Sequence, residues 1–205
     1  MGARPHWTEK DGESASTGGE RLMLLDACKA GDPAAWERLF RERSAQLYRW
    51  SILLGLQPAE AEDAAQEVLV IASRRIETCR AEEALTSWLF QITRRVVSNQ
   101  RRSAWWKRAI LGDGPPEPAF EHEESGDVAR ELAVRDCLAK LPRAQAEALI
   151  LMEVEGFTRE EAAETLGIPP GTVASRVRLA KEAFRNNWTE ERPVPDEASL
   201  SWGKR

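Results

Sequence analysis

Apolar residues recur at helical spacing over most of the chain, and short stretches without that spacing separate the helices. After a polar segment over residues 1–20, the spacing predicts a helix from about residue 22 that stops near Gly31. A second helix begins at Asp32 and continues to a break at residues 55–58. Two further helices are predicted over about residues 59–79 and 85–103. Strand-type alternation is not found, so the predicted fold class is all-α.

Residues 104–126 interrupt this pattern with the turn-forming residues Gly112, Gly114, Pro115, Pro116 and Pro118, followed by a run of acids. Helical spacing resumes near residue 128. We therefore predict two small helical domains joined by a flexible Pro/Gly-rich acidic linker. The predicted divisions are an N-terminal tail (residues 1–20), a first domain (21–103), the linker (104–126), a second domain (127–188) and a C-terminal tail (189–205).

Residues 157–185 carry the signals of a helix-turn-helix. Thr158 precedes Glu161 by three residues, a pair that caps a helix N-terminus, and Gly167 can end that helix. Pro170 suits the first turn of a second helix, whose free faces carry hydroxyl and basic side chains: Thr172, Ser175, Arg176, Arg178 and Lys181. Such a helix can place side chains in a DNA major groove, although a helical hairpin with a solvated basic face is an alternative.

Two other predicted helices carry polar faces. In residues 85–103 the stripe Trp88, Leu89, Ile92 and Val96 predicts a buried side. The opposite side holds cations beside amides and hydroxyls, a combination suited to phosphates and unstacked bases: Gln91, Arg94, Arg95, Ser98, Asn99, Arg101 and Arg102. Ordinary surface arginines remain an alternative. In residues 59–79, the side chains of Asp63, Gln66 and Glu67 share one face, and an ordinary solvated surface would explain it.

Composition narrows the function. Net charge is −5, but the distribution matters more, because residues 94–108 contain several cations and no acid. Three widely spaced cysteines and two histidines in polar segments form no metal-ligand pattern and no pair of nucleophile and base. We therefore predict no metal, no cofactor and no enzyme activity. The absence of a bilayer-length apolar run predicts no membrane insertion and a cytoplasmic location.

Two blocks of sequence resemble the extracytoplasmic-function (ECF) sigma factors of the sigma-70 class. The first is AEAEDAAQEVLVIASRRI followed by LTSWLFQITRRVVSNQRR, and the second is LPRAQAEALILMEVEGFTREEAAETLGIPPGTVASRVRLAKE. The resemblance implies an alternative sigma factor that binds core RNA polymerase and directs promoter recognition and strand opening. It also implies an anti-sigma factor as a regulatory partner, one that masks the polymerase-binding face.

The resemblance assigns roles to particular residues. The face made by Asp63, Gln66 and Glu67 would dock on the polymerase. The connection over residues 79–85 would capture a base flipped out of the minus-ten element, and minus-ten contacts would come from Arg80, Trp88, Arg94, Arg95, Asn99 and Arg102. Minus-thirty-five contacts would come from Thr172, Ala174, Ser175, Arg176, Arg178 and Lys181, with Ser175 and Arg178 reading bases. Four positions depart from the family pattern and thin these surfaces: Ser73, Cys79, Ala174 and Leu179.

Two other classes compete with this interpretation. A two-domain helix-turn-helix transcriptional regulator would bind duplex DNA without polymerase and would sense a signal through its N-terminal half. A helical, basic N-terminal half disfavours it, because such sensors ordinarily need a sheet-based receiver or a pocket. A helical adaptor with no nucleic-acid role would make no salt-dependent contact with DNA.

Overall fold

The computed structural model describes residues 24–111 and 134–191, apart from the side chains of residues 105–111 and 189–191. All regular structure in these ranges is helical, which confirms the predicted all-α class. The predicted tails and the Pro/Gly-rich part of the linker lie outside the described residues. We call residues 24–111 the N-terminal module and residues 134–191 the C-terminal module.

The N-terminal module contains four α-helices. They are α1 (residues 24–29), α2 (Pro33–Leu53), α3 (Pro58–Arg75) and α4 (Leu85–Leu111), and a 3₁₀ turn, Ile76–Thr78, follows α3. Local signals set their ends as predicted. The Asp32 carboxylate accepts a hydrogen bond from the Ala34 amide at 2.9 Å to start α2, and Gly55, with a φ of 93°, turns the chain after it.

The core of the N-terminal module lies between α2, α3 and α4. Trp50 of α2 is fully buried and packs edge-on against Phe90 of α4, with ring centroids 5.2 Å apart at 85°. Ala64, Val68 and Ala72 of the predicted apolar face of α3 are buried against them. The three helices therefore hold one another's outward faces in fixed relative positions.

Two helices of this module end elsewhere than the spacing predicts. α3 stops at Arg75, and the 3₁₀ turn takes up the residues before Cys79. α4 runs to Leu111, past residue 103, where the prediction had the first domain end. No glycine or proline occurs between Leu85 and Gly112, so the backbone meets no local signal that would end the helix earlier.

The C-terminal module contains α5 (residues 134–139), α6 (Arg143–Leu149), α7 (Arg159–Leu166) and α8 (Pro170–Glu191). The predicted helix-turn-helix is confirmed in α7 and α8. Thr158 and Glu161 form the reciprocal cap, and Gly167 adopts a left-handed conformation (φ 68°, ψ 38°) at the end of α7. Half-buried Ile168 packs at the turn, and Pro170 begins α8.

A π-helical turn, Ile150–Val154, follows α6. The Glu155 amide bonds back to the Ile150 carbonyl at 3.0 Å, and the Phe157 amide bonds to the Leu151 carbonyl at 2.9 Å. Gly156, with a φ of 71°, then reverses the chain toward α7. The wider turn changes the direction in which Glu155 projects, which places its carboxylate against the N-terminal module.

The two modules pack together. Buried apolar side chains of both belong to one continuous cluster. Polar contacts cross the boundary as well, since the Trp50 indole Nε1 donates to the Glu155 carboxylate at 2.7 Å. The Arg94 guanidinium lies 3.4 Å from the Glu147 carboxylate. The structure is therefore closed, with the C-terminal module against α2 and α4.

Candidate nucleic-acid interface

The predicted polymerase-binding residues form one exposed face of α3. Asp63, Gln66 and Glu67 are all exposed, at the spacing of three and four that aligns them along the helix. The Glu67 carboxylate also accepts a hydrogen bond from the Gln100 side chain of α4 at 3.1 Å. Val70 extends the face by another turn and is 48% exposed. Val70 was not predicted to belong to this face, although its place seven residues after Asp63 puts it there.

A shallow cavity of about 420 Å³ lies beside this face, between α2 and α3. Its lining mixes apolar and polar side chains: Ser44, Ala45, Tyr48, Glu62, Ala65, Gln66 and Leu69. Gln66 belongs both to the lining and to the face of α3. A polar surface next to a partly apolar depression is the composition expected of a protein-binding site.

The first predicted minus-ten residues are Arg80, in the loop between α3 and α4, and Trp88, in the first turn of α4. The buried Glu82 side chain accepts a hydrogen bond from the Leu25 amide of α1 at 3.2 Å, which anchors the loop. Arg80 is exposed. Trp88 was predicted to lie in the buried stripe, but it is half-exposed and its Nε1 donates to the Thr78 hydroxyl at 3.0 Å. Arg80 and Trp88 both line a cleft of about 580 Å³ whose opposite wall is α7.

The remaining predicted minus-ten residues lie along one side of α4. Arg94, Arg95, Asn99 and Arg102 line a groove of about 360 Å³ together with Gln91, Ser98 and Arg143. Arg143 comes from the C-terminal module and was not predicted to belong here. Arg101, which was assigned to the same side, instead donates to the Leu54 carbonyl at 3.0 Å. The groove combines four guanidinium groups with amide and hydroxyl groups, which suits a phosphate-bearing strand.

The predicted minus-thirty-five residues all lie in α8, but they differ in their exposure and in their ion pairs. Ser175 and Arg178 are exposed, while Thr172, Ala174 and Arg176 are half-buried. Lys181 forms an ion pair with Glu153 at 2.8 Å. Glu182, which was not predicted to belong to this surface, pairs with Arg178 at 3.4 Å on the outward side of α8. The signal was present, because an acid four residues after an arginine lies beside it on a helix.

The cysteines and the described helices offer no sign of other chemistry. Cys28, Cys79 and Cys137 are buried, and none of them forms a disulfide. Burial raises the pKa of the Cys28 thiol to about 11, with Glu82 and Asp32 adding to the shift, and burial also raises the pKa of Cys79. No group of three potential metal ligands lies together within residues 24–104 and 134–188. Among the described helices, none is long and apolar enough to cross a bilayer.

Comparison with protein families matches both modules. Residues 39–107 match the family model for sigma-70 region 2, and residues 131–184 match the model for sigma-70 region 4. The region 2 match includes the α3 face and the α4 groove, and the region 4 match includes the helix-turn-helix. The two matches follow the chain order of the two blocks that carried the resemblance.

Relatives and solved structures agree with these matches. The chain is 31% identical to the ECF RNA polymerase sigma factor SigM of Mycobacterium tuberculosis over 159 residues, covering 77% of this chain and 79% of that one. It is 31% identical to SigL of the same organism over 171 residues, covering 80% and 94%. The sigma factor RpoE of Bartonella quintana, solved in complex with the anti-sigma factor NepR, aligns with a TM-score of 0.59 at 26% identity over 87% of this chain and 98% of that one.

The two regions define a sigma factor of the sigma-70 class. Within that class, the chain belongs to the ECF RNA polymerase sigma factors. It is an alternative sigma factor that directs the initiation of transcription.

Proposed function

We propose that this sigma factor binds core RNA polymerase through the α3 face while α4 holds the minus-ten element. One observation carries the proposal. The α3 face and the α4 groove are different surfaces of one rigid three-helix module, so a protein partner and DNA can bind at the same time. The contact between Glu67 and α4 shows that the two surfaces are separate. Glu67 contacts α4 at Gln100, which is not among the residues that line the groove.

The minus-ten contacts divide into a base pocket and a strand groove. Arg80 and Trp88 border the cleft beside the anchored loop, where an exposed indole edge can meet an unstacked base. Arg94, Arg95, Asn99 and Arg102 hold the adjoining phosphates. Flipping a base costs a few kcal/mol of unstacking, and stacking on Trp88 with phosphate contacts along α4 offsets it.

In the minus-thirty-five element, α8 enters the major groove, with Ser175 and Arg178 toward base edges. Thr172, Ala174 and Arg176 flank them closer to the module. Lys181 binds a phosphate only after its ion pair with Glu153 breaks. Arg178 likewise breaks its ion pair with Glu182 when it binds DNA. That pair is exposed, so it contributes about 1 kcal/mol or less to stability.

The remaining functional assignments follow from the family. The protein acts in the cytoplasm, where the polymerase and promoters are, and it is not an enzyme. Buried thiols with raised pKa values support the second point, since the thiolate is the reactive form of cysteine. The Bartonella quintana relative is bound by an anti-sigma factor, and we extend that kind of partner to this chain. The α3 face, with its cavity and exposed Val70, is the surface such a partner would cover.

Dependence of DNA binding on polymerase tests the proposal. Fluorescence anisotropy would follow labelled duplex promoter fragments from the source genome, mixed with the protein alone, with core polymerase alone, and with both. We expect selective promoter binding only when both are present. Tight, selective binding of duplex DNA by the protein alone would contradict the proposal and favour a helix-turn-helix regulator.

A further inference from the structure

Leu179 is a large apolar side chain on the outward side of α8. It is 40% exposed, whereas the apolar residues beside it in sequence, Val177 and Ala180, are buried in the core of the C-terminal module. The core therefore does not require a leucine at this position. Exposed leucines are common on protein surfaces, so exposure alone indicates no function. What gives Leu179 a role is the set of side chains that share its face.

Leu179 shares its face with two residues already proposed to contact DNA. Ser175 precedes it by four residues and Thr172 by seven, the spacings that align side chains along one side of a helix. Ser175 is exposed and Thr172 is half-buried. Arg178 and Glu182, paired at 3.4 Å, form a parallel line beside them. If α8 enters the major groove with Ser175 and Arg178 toward the bases, Leu179 enters it with them.

The line that ends at Leu179 offers few hydrogen-bonding groups to a base. The Ser175 hydroxyl donates to the Gly171 carbonyl at 2.9 Å, so its oxygen is left to accept a hydrogen bond. The Leu179 side chain neither donates nor accepts. An apolar side chain that covers the groove edge of guanine, adenine or cytosine displaces water from donors and acceptors and leaves them unpaired, which weakens binding. Thymine differs, because its C5 methyl group presents apolar surface to the major groove.

We propose that Leu179 is a specificity-determining residue whose side chain packs against the C5 methyl group of a thymine in the minus-thirty-five element. The inference rests on the proposed function, because it requires α8 to lie in the major groove. Ser175 and Leu179 are about 6 Å apart along the helix axis, and stacked base pairs are about 3.4 Å apart. The thymine is therefore expected one or two base pairs from the base that Ser175 contacts.

An apolar contact of this kind affects promoter choice more than overall affinity. Leu179 adds no charge, so it makes no salt-dependent contact with a phosphate. Burial of one methyl group against the leucine should tighten binding by about three- to tenfold. A contact of this size does not hold the protein on DNA by itself. It does discriminate among sequences that the cations of α8 would bind equally well.

Selection from a randomised duplex library tests the proposal. Core polymerase and the full-length protein would bind fragments of a promoter that the wild type transcribes, randomised over the minus-thirty-five element, and sequencing would report the base preference at each position. We expect the wild type to prefer thymine at one position, and Leu179→Ala to lose that preference while the others remain. Leu179→Met keeps an apolar side chain of similar volume and should keep the preference. Val154→Ala is the control, because Val154 is 43% exposed and lies outside α8.

Removal of the methyl group alone gives the sharper measurement. At the preferred position, thymidine is replaced by deoxyuridine, which keeps the same hydrogen-bonding groups and lacks the C5 methyl group. Fluorescence anisotropy in the presence of core polymerase measures binding of both duplexes. We expect the wild type to bind the uracil duplex about three- to tenfold more weakly, and Leu179→Ala to bind the two duplexes equally. Deoxyuridine at any other thymine of the element is the control and should affect the wild type and Leu179→Ala alike.

The outcomes separate this inference from the proposed function. A thymine preference that persists in Leu179→Ala, or a wild type that binds the two duplexes equally, would overturn the inference. The absence of any thymine preference in the wild type, or a uniform loss of affinity for all sequences in Leu179→Ala, would overturn it as well. In each of these cases, a changed base preference in Arg178→Ala would leave the proposed function standing. If Arg178→Ala and Ser175→Ala also leave every base preference unchanged, α8 does not read the element, and both the inference and the proposed role of α8 fail.

Discussion

The two helices that we propose to face DNA, α4 and α8, carry similar side chains in different electrostatic settings. Along α4, Arg94 faces a buried carboxylate of the other module, whereas Arg95 lies exposed beside it. Along α8, Arg178 and Lys181 pair with exposed acids of their own module. Exposed pairs exchange readily with phosphates, because water and salt already screen them. In the proposed function, the cations of α8 can therefore exchange their exposed acidic partners for phosphates, whereas Arg94 of α4 faces a buried carboxylate.

This contrast matches the tasks that we propose for the two surfaces. A duplex element is read by a few side chains at base edges, so α8 needs specificity from Ser175 and Arg178 more than it needs charge. A melted strand is held by phosphate contacts and stacking, so α4 needs cations and an exposed ring. An exposed acid, Glu182, further reduces the charge of α8.

The largest expected effect comes from truncating a buried core side chain of α4. Phe90 is fully buried against Trp50, so Phe90→Ala leaves a cavity and should cost about 3–5 kcal/mol of unfolding free energy. Urea denaturation checks this value. Leu179→Ala is the control, because Leu179 is 40% exposed on α8 and its loss should change stability by about 0.5 kcal/mol or less. Comparable losses from both variants would contradict the core assignment.

A smaller effect separates the two kinds of DNA contact. Arg178→Ala should weaken use of promoters that depend on the minus-thirty-five element by about 1–3 kcal/mol. Arg95→Ala should weaken the opening of promoter DNA evenly across promoters. It should also lower the slope of log affinity against log salt concentration by about 0.7, the value for one single-strand phosphate contact. Transcription from a set of promoters at several salt concentrations measures both quantities.

Arg74→Ala controls for the loss of a positive charge. Arg74 is exposed at the end of α3, outside the α4 groove, and its removal should leave promoter choice unchanged. Equal effects of Arg95→Ala and Arg178→Ala at every promoter would show that α4 and α8 do not divide the work in this way.

The sequence was sufficient wherever a feature depended on neighbouring residues. Thr158 with Glu161, Gly167 and Pro170 define the helix-turn-helix, and each acts within a turn of its own position. The face of Asp63, Gln66 and Glu67 follows from helical spacing alone. These features need no tertiary information, so their prediction carried over into the structure.

The contacts between the two modules, which the sequence did not reveal, depend on distant partners. Glu155 contacts Trp50 only because the π-helical turn and the closed packing bring α2 to it. Glu147 and Arg143 reach Arg94 in the same way. Nothing near these residues in sequence distinguishes them from solvated charges on a helix, so spacing could not predict their contacts with α2 and α4.

A weaker effect is expected from the acid on α8. Glu182→Gln frees Arg178 from an exposed pair and should tighten duplex binding by up to about fivefold, which corresponds to about 1 kcal/mol. Glu160→Gln removes an equal charge from α7 and controls for the general gain in attraction. Anisotropy with a duplex fragment in the presence of core polymerase measures both variants. If the two variants bind equally well, the pairing of Arg178 with Glu182 has no effect on DNA binding.

The smallest effect concerns the cap that supports the helix-turn-helix. Hydrogen bonds from the Thr158 hydroxyl and amide lower the pKa of the Glu161 carboxyl below its ordinary value of 4.5. A pKa lowered on folding adds stability at pH above 4.5, and that stability is lost as the pH falls through the folded value. Glu161→Gln should therefore lower the melting temperature at pH 7, with a difference that shrinks below pH 4.5. A constant difference from pH 3 to 7 would contradict the charged cap.

Run-off transcription tests the central claim most directly, which is that this chain directs initiation by docking on polymerase through the α3 face. Core polymerase would transcribe a promoter pool from the source genome with no addition, with the wild-type protein, or with the triple variant Asp63→Ala, Gln66→Ala, Glu67→Ala. The matched control, Glu37→Ala with Glu42→Ala, removes exposed acids of α2. We predict selective transcripts with the wild type and the control, and none with the triple variant. Undiminished transcripts from a folded triple variant would contradict docking through α3.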